Sequence, residues 1–146
     1  MIEDAFLECL KREFPFEMTG KQLEVSKLLF KFLFAEDPLS IFLLRGYAGT
    51  GKTTLVAALV RVLHKLKMEV VLLAPTGRAA KVFSLNAGFP AYTIHKQIYR
   101  QRSLVSEVSH FDLDINKHKS ALFIVDESSM ISDRPDSHAI FGSGFL

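Results

Sequence analysis

The sequence predicts an α/β fold built on a parallel sheet flanked by helices, and three observations predict it. Three short apolar runs, at 41–44 (IFLL), 69–74 (EVVLLA) and 121–125 (ALFIV), have the length and near-continuous hydrophobicity of strands buried on both faces. The segments between them carry apolar residues at helical spacing, so strand, helix, strand, helix, strand is the implied order, the pattern of parallel strands joined by crossovers. A glycine-rich bend joins the first apolar run to the helix that follows it.

Composition sets the outer bounds. A chain of 146 residues fits one domain with a core of its own. A hydrophobic fraction of 49% with 23% charged residues is ordinary for a globular protein. The net charge of +2 is compatible with an anionic ligand without implying one. The single cysteine, Cys9, has no internal disulfide partner, which favours a reducing, cytoplasmic setting. No signal peptide and no membrane span are expected, because no apolar run approaches ~20 residues.

Each element has its own justification. Residues 19–35 predict an amphipathic helix, with Val25, Leu28, Leu29, Phe32 and Leu33 on one side and Asp37-Pro38 stopping it. The strand at 41–44 follows. Residues 53–66 predict a second helix on Leu55, Leu59, Val62 and Leu63. Pro75 ends the strand at 69–74, a helix spans 78–85, and Asn86 to Pro90 form a turn. A short helix begins near Thr93, 103–120 reads as a surface excursion, and 121–125 is the third strand with Asp126 and Glu127 at its carboxyl end. Core packing accounts for most of Phe14, Phe16, Phe30, Phe32 and Phe34.

In parallel sheets, ligands bind beyond the carboxyl ends of the strands. Residues 45–54, 74–81 and 126–130 are all expected at that edge. GYAGTGKT (46–53) fits G-x-x-x-x-G-K-[ST], the phosphate-binding loop. Gly46 and Gly51 are expected to adopt backbone angles that let successive amides converge on an oxyanion, with the next helix adding its dipole. Lys52 would reach the β- and γ-phosphates, and the Thr53 hydroxyl would ligate Mg2+. With glycine at ~7%, a random chain of this length shows the pattern roughly once in a few hundred trials. Gly46, Ala48, Gly49, Thr50, Gly51, Lys52, Thr53 and Thr54 are therefore the candidate ATP site. Asp126 is assigned to the metal and Glu127 to the general base, a catalytic role shared with Lys52. Alone, the two acids read more readily as an acidic turn opening a helix; the phosphate loop upstream turns the reading to catalysis.

Together GYAGTGKT, LAPTGRAAK (73–81), YTIHKQI (92–98) and IVDESSMIS (124–132) resemble the ordered motifs of superfamily 1 DNA helicases, in particular the RecD/Dda/TraI branch, which moves 5′ to 3′. The resemblance covers about 19–132. It implies a P-loop NTPase of RecA-like fold that couples ATP hydrolysis to movement on single-stranded DNA. It also implies that Gln22 reads adenine; the residues themselves equally support a capping box between Thr19 and Gln22. By the same resemblance Thr76, Gly77, Arg78, Lys81 and His95 contact DNA. Physically, Thr76 and the amides after it make an anion site or merely a helix cap, and His95 is a contact, a cap or a packed ring. Ser129 and Met130 would link hydrolysis to DNA.

The family continues with a strand bearing a γ-phosphate-sensing glutamine and a second RecA-like domain supplying arginines. Neither is recognisable before Leu146, and Arg134 matches no motif, so the chain is expected to be the amino-terminal part of the first motor domain, incomplete at the C-terminus. Its partners would be single-stranded DNA, the remainder of the helicase chain and possible nuclease-complex subunits. An incomplete sheet implies a gap, an unusual pairing or an exposed edge, hence marginal stability or self-association. Without arginine fingers, which contribute ~10³–10⁵ in rate, binding with slow hydrolysis is expected. The alternatives are a P-loop small-molecule kinase, in which PTGRAAK and YTIH have no purpose, and a non-catalytic nucleotide-binding subunit, which Lys52, Asp126 and Glu127 argue against.

Overall fold

The computed structural model describes residues 1–35, 37, 39–101, 111–118 and 120–131, which form two compact units, Met1–Lys67 and one from Met68 onward. The segment 132–146, with Arg134, lies outside the described residues, as do residues 102–110.

The first unit is helical. Helix α1 (Ile2–Glu13) was not expected, although its signal was present: Ile2, Phe6 and Leu10 recur four apart, Glu3 and Asp4 open it, and Lys11 and Arg12 close it. Phe6, Leu7 and Leu10 are its buried face. Helix α2 (Gly20–Leu33) begins at the Thr19 cap, as expected, and ends two residues before Ala35. Leu29 is buried, but Leu28 is 53% exposed, so the predicted apolar stripe is narrower than the sequence implied. Helix α3 (Lys52–Lys65) buries Leu55, Leu59, Val62 and Leu63 as expected, together with Ala57, Ala58 and Val60. Helix α1 packs against both α2 and α3. A fully buried Leu10 or Leu63 contributes about 1.5–3 kcal/mol. Phe6, Phe30 and Phe34 form an aromatic cluster, with Phe6–Phe30 and Phe30–Phe34 centroids at 5.4 and 4.6 Å. Phe16, by contrast, is 75% exposed and packs in no core.

The strand expected at 41–44 is not formed. Residues 41–46 carry no regular structure, with Ile41 90% and Leu43 66% exposed, while Phe42 and Leu44 are half-buried. This alternation has the period of an extended chain, and Phe42 rests on Phe32 at 5.5 Å between centroids. An apolar run supplies strand propensity, but a strand also needs a ladder partner for its backbone groups, and none pairs with 41–44 among the described residues.

The second unit holds a parallel sheet in the order β2-β1-β5, from β1 (Val70–Ala74), β2 (Ala91–Thr93) and β5 (Leu122–Val125). The fold class is thus α/β, as the sequence implies. Strand β1 is central, which explains why Val71 to Ala74 are all buried. It pairs Leu72 with Ala91 on one side and with Ile124 on the other. Strand β5 was expected to be buried on both faces. It lies at the edge of the described sheet and is only partly covered, with Phe123 40% exposed. Helix α4 (Gly77–Ala87) packs on β1 and β2 through Ala80, Phe83 and Ala87, and ends at the left-handed Gly88. Thr93 caps the short α5 (Ile94–Ile98), placing Ile94 in a small core with Val71 and Leu73. Part of the expected surface excursion is ordered, because β3 (Tyr99–Gln101) pairs antiparallel with β4 (Phe111–Leu113). His118 anchors the chain after β4, its Nδ1 against the Glu69 carboxylate and its Nε2 3.0 Å from the Gln97 amide. Among the described residues no helix is long and apolar enough to cross a membrane.

In the first unit, Glu13 joins α1 to α3. Its carboxylate accepts from Arg61 Nε at 3.0 Å and from Lys65 Nζ, and its carbonyl accepts from Arg61 Nη2 at 2.9 Å. The Lys65 hydrogen bond holds the Glu13 carboxyl below its ordinary 4.5, against an opposing contribution from burial. A depressed folded-state value means this stability is complete above about 4.5 and is lost as pH falls through the folded value. Glu13→Gln is therefore expected to destabilise the chain by about 0.5–1 kcal/mol at pH 7, modest because solvent reaches Lys65. Urea unfolding at pH 7 and at pH 3 checks this, with the gap closing at acid pH.

Candidate nucleotide-binding site

The glycine loop turns on its own backbone. Tyr47 O accepts from Thr50 N at 3.4 Å and from Thr50 Oγ1 at 2.8 Å. Gly49 and Gly51 then adopt left-handed angles, φ 78° and 82°, which would cost a residue with a side chain about 1–2 kcal/mol. The sequence reading placed that freedom at Gly46 and Gly51. It sits at Gly49 and Gly51 instead, and Gly46 serves close approach: a Cβ there would lie 2.9 Å from Thr50 Oγ1.

Gly51 is also the N-cap of α3, its carbonyl accepting from Leu55 N at 2.9 Å. Having no side chain, it leaves the first-turn amides of Lys52, Thr53 and Thr54 uncapped, at the positive end of the helix dipole. Lys52 Nζ donates to Gly46 O at 2.6 Å and Tyr47 O at 2.8 Å. An anionic oxygen would offer the ammonium stronger, charge-assisted bonds than these neutral carbonyls. Uncapped amides, two left-handed glycines and an exchangeable lysine fit a triphosphate. The exposed Thr53 hydroxyl is a hard oxygen donor of the kind magnesium takes.

The structure brings Gln22 to this loop. The expected capping box is present, with Thr19 N donating to Gln22 Oε1 at 2.9 Å and Gln22 N to Thr19 Oγ1 at 3.3 Å. Gln22 Nε2 also donates to Thr50 O at 3.2 Å. Sequence reasoning missed that contact, since nothing in local spacing connects residues 28 positions apart.

In the second unit, Asp126 N donates to Leu73 O at 3.0 Å, which carries the ladder one residue beyond β5 and sets the acid at the carboxyl edge of the sheet. Asp126 Oδ1 accepts from Glu127 N at 3.0 Å. Glu127 is left-handed, φ 54° and ψ 35°, and heads the 3-10 turn Ser128–Met130. Acidic turn and catalytic pair are therefore compatible in one geometry. A left-handed non-glycine residue is uncommon, and the sequence carried no sign of it.

At the same edge, Thr76 caps α4, its Oγ1 accepting from Ala79 N at 3.2 Å, and Gly77, Arg78 and Lys81 are exposed. A cleft of about 330 Å³ is lined by Gly77, Lys81, Ser84, Tyr92, Thr93 and Lys96. Of the residues expected near DNA, Gly77 and Lys81 line it, whereas Thr76, Arg78 and His95 do not. The half-buried His95 ring lies 5.2 Å from Tyr99. Tyr92 and Lys96, which the sequence reading did not single out, line the cleft as well. Lys96 Nζ sits 5.3 Å over the Tyr92 ring, a cation–π geometry.

Residues 32–141 match a family described as AAA domain. An ATP-dependent RecD2 DNA helicase of Deinococcus radiodurans is 35% identical over 99 residues, covering 64% of this chain and 12% of that protein. The chain thus spans a small part of that relative's length. The likeness to RecD-like superfamily 1 helicases, drawn from four short motifs, holds over most of the chain.

Gly51→Ala is expected to cost about 1 kcal/mol more than Gly49→Ala in urea unfolding. Both carry left-handed strain, but a Cβ at 51 lies 2.7 Å from Gln22 Nε2 and must displace its hydrogen bond, while nothing lies within 4 Å at 49. In a Gln22→Ala background the difference should disappear.

Proposed function

This chain belongs to the AAA domain family, and we propose that it is an ATP-binding motor element of a DNA helicase or translocase. In this reading ATP hydrolysis is coupled to movement on single-stranded DNA. The observation that carries it is the loop 46–53, with two left-handed glycines delivering Lys52 to the uncapped start of α3. Supporting it is the likeness to a protein named as an ATP-dependent DNA helicase.

The roles follow from the chemistry of the groups. Amides of the loop and of Lys52 to Thr54 bind phosphate oxygens, and the Lys52 ammonium leaves its carbonyl partners for the β- and γ-phosphates. Magnesium, when bound, neutralises charge on the phosphates; Thr53 and Asp126 are the residues that would hold it. Glu127 takes the proton of the attacking water. Thr76, Gly77, Arg78, Lys81 and His95 are proposed contacts to the DNA backbone. Exposed Arg78 and Lys81 supply charge, and the exposed start of α4 offers amides. For these 146 residues alone we propose nucleotide binding with slow hydrolysis and no unwinding, inside a longer helicase chain working in the cytoplasm.

The test is MgATP binding and turnover with and without a single-stranded oligonucleotide, beside Lys52→Ala. The expected outcome is binding by the native chain, at least tenfold weaker in Lys52→Ala, and, in the longest chain that carries these residues, an increase in turnover on adding oligonucleotide. Equal binding by the two proteins, or turnover indifferent to oligonucleotide in the longest chain that carries these residues, contradicts the proposal.

A further inference from the structure

We infer that Gln22 is a positioning residue of the phosphate loop: its side-chain amide holds the Thr50 carbonyl outward and so aims the Gly51 N–H. This rests on the reading that the loop binds a triphosphate.

The side chain is fixed at both ends. Gln22 Oε1 accepts from Thr19 N at 2.9 Å, and Nε2 donates to Thr50 O at 3.2 Å. Its backbone is fixed as well, because Gln22 N donates to Thr19 Oγ1 at 3.3 Å and Gln22 O accepts from the fully buried Ser26 hydroxyl at 2.7 Å. The amide is therefore a short strut from the first turn of α2 to the loop.

What the strut grips matters more than its strength. Among the described residues no peptide bond is cis. In a trans peptide, C=O and N–H point in opposite directions within one plane. Holding Thr50 O on the Gln22 side consequently turns the Gly51 N–H to the other side. The next peptide is held too, since Gly51 O accepts from Leu55 N at 2.9 Å in the first bond of α3. Gly51, which has no side chain to restrain its backbone, thus has both flanking peptide planes anchored, one by its own helix and one by Gln22. A preset donor requires less ordering when an anion arrives. The requirement for glycine at 51 acquires a second cause, because a Cβ would sit 2.7 Å from Gln22 Nε2.

The amide retains one further N–H and one further lone pair, so it can still meet a base edge. The two roles separate by ligand. A residue that only reads adenine affects ligands that carry adenine. A residue that sets the Gly51 N–H affects anything that carries phosphates.

The experiment is calorimetric titration of the whole chain with MgATP and with magnesium tripolyphosphate, which has no base, for native protein, Gln22→Ala and Thr19→Ala. Thr19→Ala removes the hydroxyl that caps α2 but keeps the Thr19 N–H and the Gln22 strut. Gln22→Ala is expected to weaken both ligands by about two- to tenfold, the range one neutral hydrogen bond carries. Thr19→Ala should lower the melting temperature yet bind tripolyphosphate within about twofold of native. Loss confined to MgATP, or equal loss in Thr19→Ala and Gln22→Ala, overturns the inference and leaves the nucleotide site standing. No binding of either ligand by the native chain overturns both.

Discussion

The proposed nucleotide site depends on one backbone event, the left-handed step at Gly51 that ends a glycine loop and starts α3 in the same residue. The step leaves the first amides of a 14-residue helix without caps and sets Lys52 as its first helical residue. A serine or threonine at 51 would cap those amides and consume the donors. Glycine leaves them open at the positive end of the helix. A local conformational requirement and the proposed anion binding are therefore the same requirement.

Around that step, the structure spends its polar groups on holding backbone in place. Gln22 braces the loop, Thr50 closes it on Tyr47, and Glu13 ties α1 to α3. The second unit uses a different device. Its central strand β1 is hydrogen-bonded on both sides, and the ladder runs on to Asp126, so the acid inherits its place from the sheet rather than from a flexible turn. Glu127 then breaks the extended path with a left-handed backbone and stays exposed.

Much of this was legible in the sequence wherever the signal is local. Helix α3, strand β1, the caps at Thr19 and Thr76 and the glycine loop all rest on spacing within about ten residues, and each is found close to where spacing implies. What failed was non-local. The run 41–44 has the composition of a buried strand, yet a strand is a relation between two segments, and composition describes only one. Strand β5 is formed but half-covered for the same reason, since its neighbours determine its burial. The Gln22–Thr50 contact and the β3–β4 pairing join distant positions and left no periodic trace. Helix α1 is a different case, because its four-residue apolar spacing is local and readable in the sequence. Within the loop, the motif named the glycines, but only the backbone angles distinguished Gly49 and Gly51, which need a left-handed turn, from Gly46, which needs room.

The account stands or falls on whether the amides around Gly51 receive phosphate. Two-dimensional amide NMR of the chain, titrated with MgADP, addresses this residue by residue. The account predicts that the largest shifts fall on Gly49, Gly51, Lys52 and Thr53, and that they saturate together with a single affinity. Saturating shifts centred elsewhere, with these four amides unmoved, would contradict it.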